Sequence, residues 1–304
     1  MPIGYELEPN GMLDRMYRWF SKVSSRHVGA AEELPPKETL DGHLAAQRLA
    51  YDAVVHVSKL LRVGMTELEA ATLLENYLKD HGTERYLHRA FAWFGSHSRF
   101  DEYQSYSDYH PSDRVLEEDH VVILDVSPVV DGYIGDVGYT VCLKPNEEME
   151  KAKTFLLQLR EDLPKMFGST MTAGEIWLDI DRRIKDAGYD NVHSKYPHCV
   201  LGHRVFRVKP KQGKHLRIGN RSFGWFSLET NMAFLKMGLS ATLTPEHIGR
   251  KLGLWAIEPH IGWAGGGAKF EEILVVEPGR CYWLDDNVPH VLEAKQRQAA
   301  AAAN

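Results

Sequence analysis

The sequence has little of what ties a protein to a membrane, a nucleic acid or an oxidising compartment. Its three cysteines, Cys142, Cys199 and Cys281, are far apart, odd in number and without a CxxC pair. That argues against a disulfide framework or a thiolate zinc site, and for a reducing cytoplasm. No window reaches about 18 apolar residues, and the first twenty residues show neither a charged segment leading into an apolar one nor a small-residue cleavage site, so neither a membrane span nor a secretory leader is expected. Lys and Arg form no block, and the net charge of −6 is spread along the chain. Nucleic acid and anionic membranes are therefore poor partners, and a small molecule or short peptide is the expected one.

What is present is a soluble, globular composition with 43% hydrophobic residues in a chain of 304, enough for one large domain or two ordinary ones. Residues 1–38, ending in "EELPPKETL", read as an extension, because the Pro-Pro pair and the charges interrupt periodicity. Residues 39–290 carry a continuous pattern, and the tail 291–304, with its run of alanines, is low in complexity and expected to fray.

Within the main region, Leu49, Ala50, Ala53, Val54, Val57, Leu60 and Leu61 follow helical spacing up to Gly64. A second helix starts at a Thr66/Glu69 capping box and closes on Gly82. At an offset of 106 residues the unit recurs: Thr172 with Glu175 forms a second box, and Gly188 answers Gly82. The segment "EEMEKAKTFLLQLREDL" before it answers the first helix. The chain thus reads as two related halves, each a helix pair followed by strands, in an α+β fold with a pseudo-two-fold repeat.

The repeat extends to the acids. "VVILDVSP" and "LGLWAIEPHIG" are apolar strands ending in Asp125 and Glu258; Asp136 follows the first and Glu271 the second. Alone, Asp125 and Asp136 could simply cap a hairpin turn. Four carboxylates brought together in an apolar interior, however, need protons or cations, and divalent metal is the economical answer. Oxygen donors with one imidazole suit Mn²⁺, Fe²⁺ or Co²⁺, and Zn²⁺ also fits. His198 and His203, in "YPHCVLGHRVFRV", are the candidates for the imidazole. Trp255, Trp263 and Trp283 read as packing residues.

In this order the Asp-x10-Asp hairpin, the "GH" strand, "IEP", "KFEE" and the approach "HPSDRVLEEDHVVILD" resemble the pita-bread metallopeptidase family, over roughly residues 40–285. That family includes methionine aminopeptidase, aminopeptidase P, prolidase and creatinase. The resemblance implies a pita-bread fold with two divalent ions, Asp125 chelating one, Asp136 and Glu271 bridging both, and His203 and Glu258 completing the second. It further implies a bridging hydroxide that attacks an amide or peptide bond in a small substrate, with Glu258 as the catalytic proton shuttle. Glu271 is preferred to Glu272 because Phe270 then takes the apolar position before the ligand. Members of the family often form homodimers.

The chain also departs from the pattern. Asp108 stands where the family has a substrate-holding histidine, and the nearest imidazole is His110. Phe206 and Pro210 replace a glycine and a second histidine, and His198 is one residue out of register with a prolidase-like motif. Asp108, His110 and His198 are accordingly the candidate substrate contacts, and the long segment before Glu258 a candidate lid. The first 38 residues are too few for the N-terminal domain of creatinase-type members. These departures keep open a non-peptidase C–N hydrolase or a metal-dependent lyase on the same fold, and a metal-free binding module.

Overall fold

In the computed structural model of the chain, the described residues are 35–83, 85–101, 106–196, 199–208 and 242–302, with scattered positions between 12 and 23. Most of the expected N-terminal extension, His198 and the bulk of the expected lid lie outside the described residues.

Helix α1 spans Lys37–Ser58 and starts well before Leu49, the first position of the expected spacing, because His43 is already buried there and Leu40 packs against a core cluster. Helix α2, Glu67–Asp80, begins as the capping box requires: Glu69 N–H donates to the Thr66 hydroxyl, and Thr66 N–H donates to the Glu69 carboxylate. Gly82 ends it at φ +89°, a conformation that favours glycine.

The strands of the first half are β1 (Arg85–Tyr86), β2 (Phe91–Phe94), β3 (Val121–Val126), β4 (Pro128–Val130), β5 (Tyr133–Ile134) and β6 (Val137–Cys142). Helices α3, Glu147–Gly168, and α4, Ala173–Asp186, then repeat α1 and α2, with matching lengths of 22 and 14 residues. The Thr172/Glu175 box opens α4 as Thr66/Glu69 opens α2. The second half continues with β7 (Asp190–Asn191), β8 (Gly202–Val205), β9 (Thr242–Leu243), β10 (Gly253–Ile257), β11 (His260–Trp263), β12 (Gly266–Lys269), β13 (Glu272–Glu277) and β14 (Arg280–Trp283).

Strand pairing repeats as well. The first half has sheets β2-β3-β6 and β1-β4-β5; the second has β8-β10-β13, extended by β9 and β14 at its edges, and β7-β11-β12. All named pairs are antiparallel, and each strand of the first half has a counterpart in the second. The halves meet where β12 packs against β3 and β6.

Two helix-on-sheet cores result. Val54, Val57 and Leu74 from α1 and α2 meet Val122, Leu124 and Val126 of β3; Leu156, Leu163, Ile176 and Trp177 from α3 and α4 meet Trp255, Ile257 and Leu274. Because strand side chains alternate, the residues between these point away from the helices. On β3 that set is Val121, Ile123 and Asp125. On β8 it is His203 and Val205, and on β10 and β13 it is Leu254, Ala256, Ile273 and Val275, which form a core of their own. Continuing the alternation one step beyond each strand places Glu258 and Glu271 on this inward face too. The alanine-rich tail, expected to fray, instead forms helix α5 over Pro289–Ala302, in keeping with the high helix propensity of alanine.

Candidate metal centre

The inward face gathers a buried set of ionisable groups. Asp125 is the last residue but one of β3, Asp136 joins β5 to β6, Glu258 follows β10 and Glu271 lies between β12 and β13. His203 enters from β8, where it pairs with Ala256 of β10. All five are buried: Asp136 has no exposed surface, and Glu258 is the most accessible at 8%. Asp136 is fixed from behind. A Cβ on Gly135 would lie 2.3 Å from the Ala46 carbonyl oxygen, so only glycine lets the hairpin close onto α1.

Two residues that the sequence reading did not single out complete the set. His88, between β1 and β2, brings Nε2 to 3.4 Å from Asp125 Oδ1 and 3.4 Å from Asp136 Oδ1. Lys269, the last residue of β12, places Nζ 2.7 Å from Asp125 Oδ2, 2.9 Å from Glu258 Oε2 and 3.0 Å from Glu271 Oε2. Lys269 was legible in principle, since it lies two residues before Glu271 and strand alternation puts the two on one side. His88 was not, because only the long-range pairing of Phe91 with Asp125 carries its segment to the acids.

The two imidazoles are oriented alike. His88 Nδ1 is 2.8 Å from the Arg89 carbonyl and His203 Nδ1 is 3.3 Å from the Arg204 carbonyl. A carbonyl can only accept, so each Nδ1 carries hydrogen and each Nε2 is turned toward carboxylates, the arrangement typical of ligating histidines. His203 Nε2 lies 3.2 Å from Asp136 Oδ2 and 3.8 Å from Glu271 Oε1.

Glu271 and Glu272 part company. Glu271 faces this cluster, whereas Glu272 points to the helix side, where Arg160 of α3 grips it through two bonds of 2.7 Å and His290 approaches to 2.9 Å. Of the expected substrate contacts, Asp108 is engaged through its backbone carbonyl, which accepts from His97 Nε2 at 2.8 Å. His110 is linked to the cluster through Phe91, whose ring is 6.0 Å from it and stacks on His88 at 5.1 Å.

Electrostatically the set is under tension. Burial, with Asp136 and Glu258 close by, pushes the Glu271 carboxyl well above the usual range. Burial also raises Glu258, against the pull of Lys269. For Asp136, burial is outweighed by His203 and His88, which hold its carboxyl below the usual range. Burial opposes charge on His88, yet Asp136 and Asp125 lift its pKa to about 9. Lys269 is driven the same way: burial disfavours its charge, and Asp125, Glu258 and Glu271 more than restore it.

Asp125 Oδ1 and both oxygens of Asp136 are buried without an aligned hydrogen-bond donor. The nearby imidazole nitrogens stand at ion-pair distance but not in hydrogen-bond alignment. Buried carboxylate oxygens left so are costly unless a cation meets them. Two groups of potential ligands share Asp136: His88, Asp125 and Asp136, and Asp136, His203 and Glu271. Each can bring one donor atom per residue within 4.8 Å of the others. Carboxylates with one imidazole are the donor set that hard or borderline divalent ions take, so the residues fit such an ion.

Comparison with known proteins agrees. The profile of metallopeptidase family M24 matches residues 41–278. An uncharacterized peptidase of Staphylococcus haemolyticus is 28% identical over 163 residues, covering 52% of this chain and 42% of its own length. Another, of Staphylococcus epidermidis, is 25% identical over 154 residues, with shares of 50% and 41%. Among solved structures, the X-Pro aminopeptidase of Thermotoga maritima superposes with a TM-score of 0.63 at 18% identity, over 91% of this chain and 66% of that one. The prolidase of Pyrococcus furiosus gives 0.59 at 20% identity, with shares of 83% and 65%. The chain thus spans less than half the length of these curated relatives, and the structural likeness establishes the pita-bread fold.

Proposed function

The chain belongs to metallopeptidase family M24, and from that membership we propose that it is a cytoplasmic, divalent-metal-dependent hydrolase of an amide or peptide bond in a small substrate. The observation that carries the reading is Asp136: a fully buried carboxylate with neither oxygen met by an aligned donor, set between two groups of metal-ligand type that share it. Asp136 would be a ligand in either group. Asp125 and His88 would hold an ion on one side of it, His203 and Glu271 on the other, with Glu258 beside them. Mn²⁺, Fe²⁺ or Co²⁺ suits these donors best.

When bound, such an ion supplies Lewis acidity toward a carbonyl and lowers the pKa of water. The protein's own residues do the rest. His88 and His203 are held by backbone carbonyls with Nε2 already turned toward the carboxylates. Glu258, the most accessible of the four acids, would exchange a proton with an incoming substrate, and its burial raises its affinity for that proton. Three unpaired cysteines suit a reducing compartment, and no helix among the described residues is long and apolar enough to cross a membrane.

The test is amine release from dipeptides and Xaa-Pro dipeptides by Mn²⁺-, Fe²⁺- or Co²⁺-loaded protein, alongside its metal content. Asp136→Ala should lose bound metal and turnover together. Turnover surviving without metal would overturn the reading. Metal binding without cleavage of any peptide would instead direct the search to other small C–N compounds, the non-peptidase chemistry of the same fold.

A further inference from the structure

We propose that Glu75 of α2 is a positioning residue of the metal centre, acting through Arg89 on the segment that carries His88 to Asp125 and Asp136. The proposal rests on the metal-dependent reading above and deepens it.

His88 stands where the strand ladder gives least support. Tyr86 pairs with Pro128 and Leu87 N–H donates to the Ser127 carbonyl at 2.9 Å, whereas Phe91 already pairs with Asp125. Residues 88–90 thus stand opposite Val126 alone, and two of the three are surplus to the register. Such a bulge bends its strand and re-aims a side chain, here the imidazole of His88, toward the two acids. Its surplus residues need anchors other than the ladder. Tyr86 and Arg89, on either side of His88, both find one at Glu75. The Tyr86 hydroxyl donates to the Glu75 carbonyl at 3.3 Å, and Arg89 Nε and Nη2 grip the two carboxylate oxygens at 2.8 and 2.6 Å. A forked pair of this kind fixes orientation as well as distance. The Arg89 carbonyl then holds His88 Nδ1, so one line of contacts runs from α2 to the acids.

The second half of the chain uses the same device. Asp181 is the ninth residue of α4 as Glu75 is of α2, at the offset of 106 residues that relates the halves. Its Oδ1 accepts from Asn191 Nδ2 at 2.8 Å, and Asn191 Oδ1 accepts from Ser194 N–H at 3.1 Å. This helix position thereby holds the chain where it leaves β7, the counterpart of β1. In the first half the chain so held carries a candidate ligand. Exposure decides what the Glu75 pair can do there. The Arg89 side chain is 50% exposed and that of Glu75 23%, and an ion pair so open to solvent adds little to global stability. Its effect is therefore local, on where His88 sits.

The test is the Mn²⁺ dissociation constant of the full chain, measured by competition with a fluorescent chelator, beside its urea midpoint. Glu75→Ala and Arg89→Ala should each weaken binding about 10–100-fold, the range typical of groups that orient a ligand. Glu75→Gln, which keeps one acceptor oxygen, should recover part of the loss. Asp179→Ala removes from α4 a carboxylate of like exposure, paired with Arg183 at 2.6 Å; it should shift the midpoint as much and leave the dissociation constant unchanged. In a His88→Ala background, Glu75→Ala should have no further effect on binding. An unchanged constant in folded Glu75→Ala, or the same loss with and without His88, would overturn the proposal and leave the metal-dependent reading intact. A wild-type chain that takes up no Mn²⁺, Fe²⁺ or Co²⁺ would remove that reading, and the proposal with it.

Discussion

Glu271 and Glu272 are chemically alike, adjacent and both buried, yet alternation sends one to the carboxylate cluster and the other to a helix. Glu272 meets an arginine whose side chain is only 7% exposed, and breaking such a buried pair by removing one charge typically costs about 3–5 kcal/mol. Glu272→Gln should therefore lower the urea midpoint markedly while leaving metal content per folded chain unchanged. Glu271→Gln should do the reverse, reducing metal content with a smaller stability change. Equal loss of metal in both would mean that the two faces are not separated as described. At this scale the sequence showed the acids, because a repeat of hydrophobic strands ending in carboxylates is visible in one dimension. That Glu271 is the one of the pair facing inward follows from counting from Ile273 and Leu274, whose burial in different cores fixes which parity faces inward. His88 had no such local signal, since its place depends on which strands pair.

At the scale of elements, the helices were the most legible part. Capping boxes, terminal glycines and apolar spacing are short-range, so α2 and α4 could be bounded from sequence. The two boxes should also be energetically alike: Thr66→Ala and Thr172→Ala should each destabilise by about 1 kcal/mol in chemical denaturation. A value near zero at either site would mean that the helix start is held by tertiary contacts alone. The start of α1 and the helical tail were less legible. His43 and Leu40 are recruited by contacts with distant strands, and an alanine run is equally compatible with a frayed tail and with a helix. The short strands β1, β5, β7 and β9 have two residues each, too few for periodicity to register, and exist because of their partners.

For the whole molecule, acid sensitivity should come from both halves. His43 in α1 is buried and its pKa is lowered from 6.5 to about 4; His193, after β7, is buried and lowered to about 3, in each case chiefly by burial. Below pH 6.5 the unfolded chain takes up protons at these positions that the folded chain refuses. Stability contributed above pH 6.5 is therefore lost as the pH falls toward 4 and then 3, by a few kcal/mol, roughly, for each residue. Metal-free protein compared with a His43→Gln variant by urea denaturation at pH 7 and pH 5 should show a smaller acid loss in the variant; equal slopes would remove His43 from the account.

The candidate ligands come from both repeats: His88, Asp125 and Asp136 from the first, His203, Glu258 and Glu271 from the second. An ion held on Asp136 and His203 consequently closes a long loop of chain, in the manner of a cross-link. In a protein whose three cysteines are free, such a clasp would act where a disulfide otherwise would, and it can be opened. Its main effect would be on lifetime, since the halves could not drift apart without first surrendering the ion. Metal availability in the cell would then govern how long each folded molecule persists, as well as whether it can act.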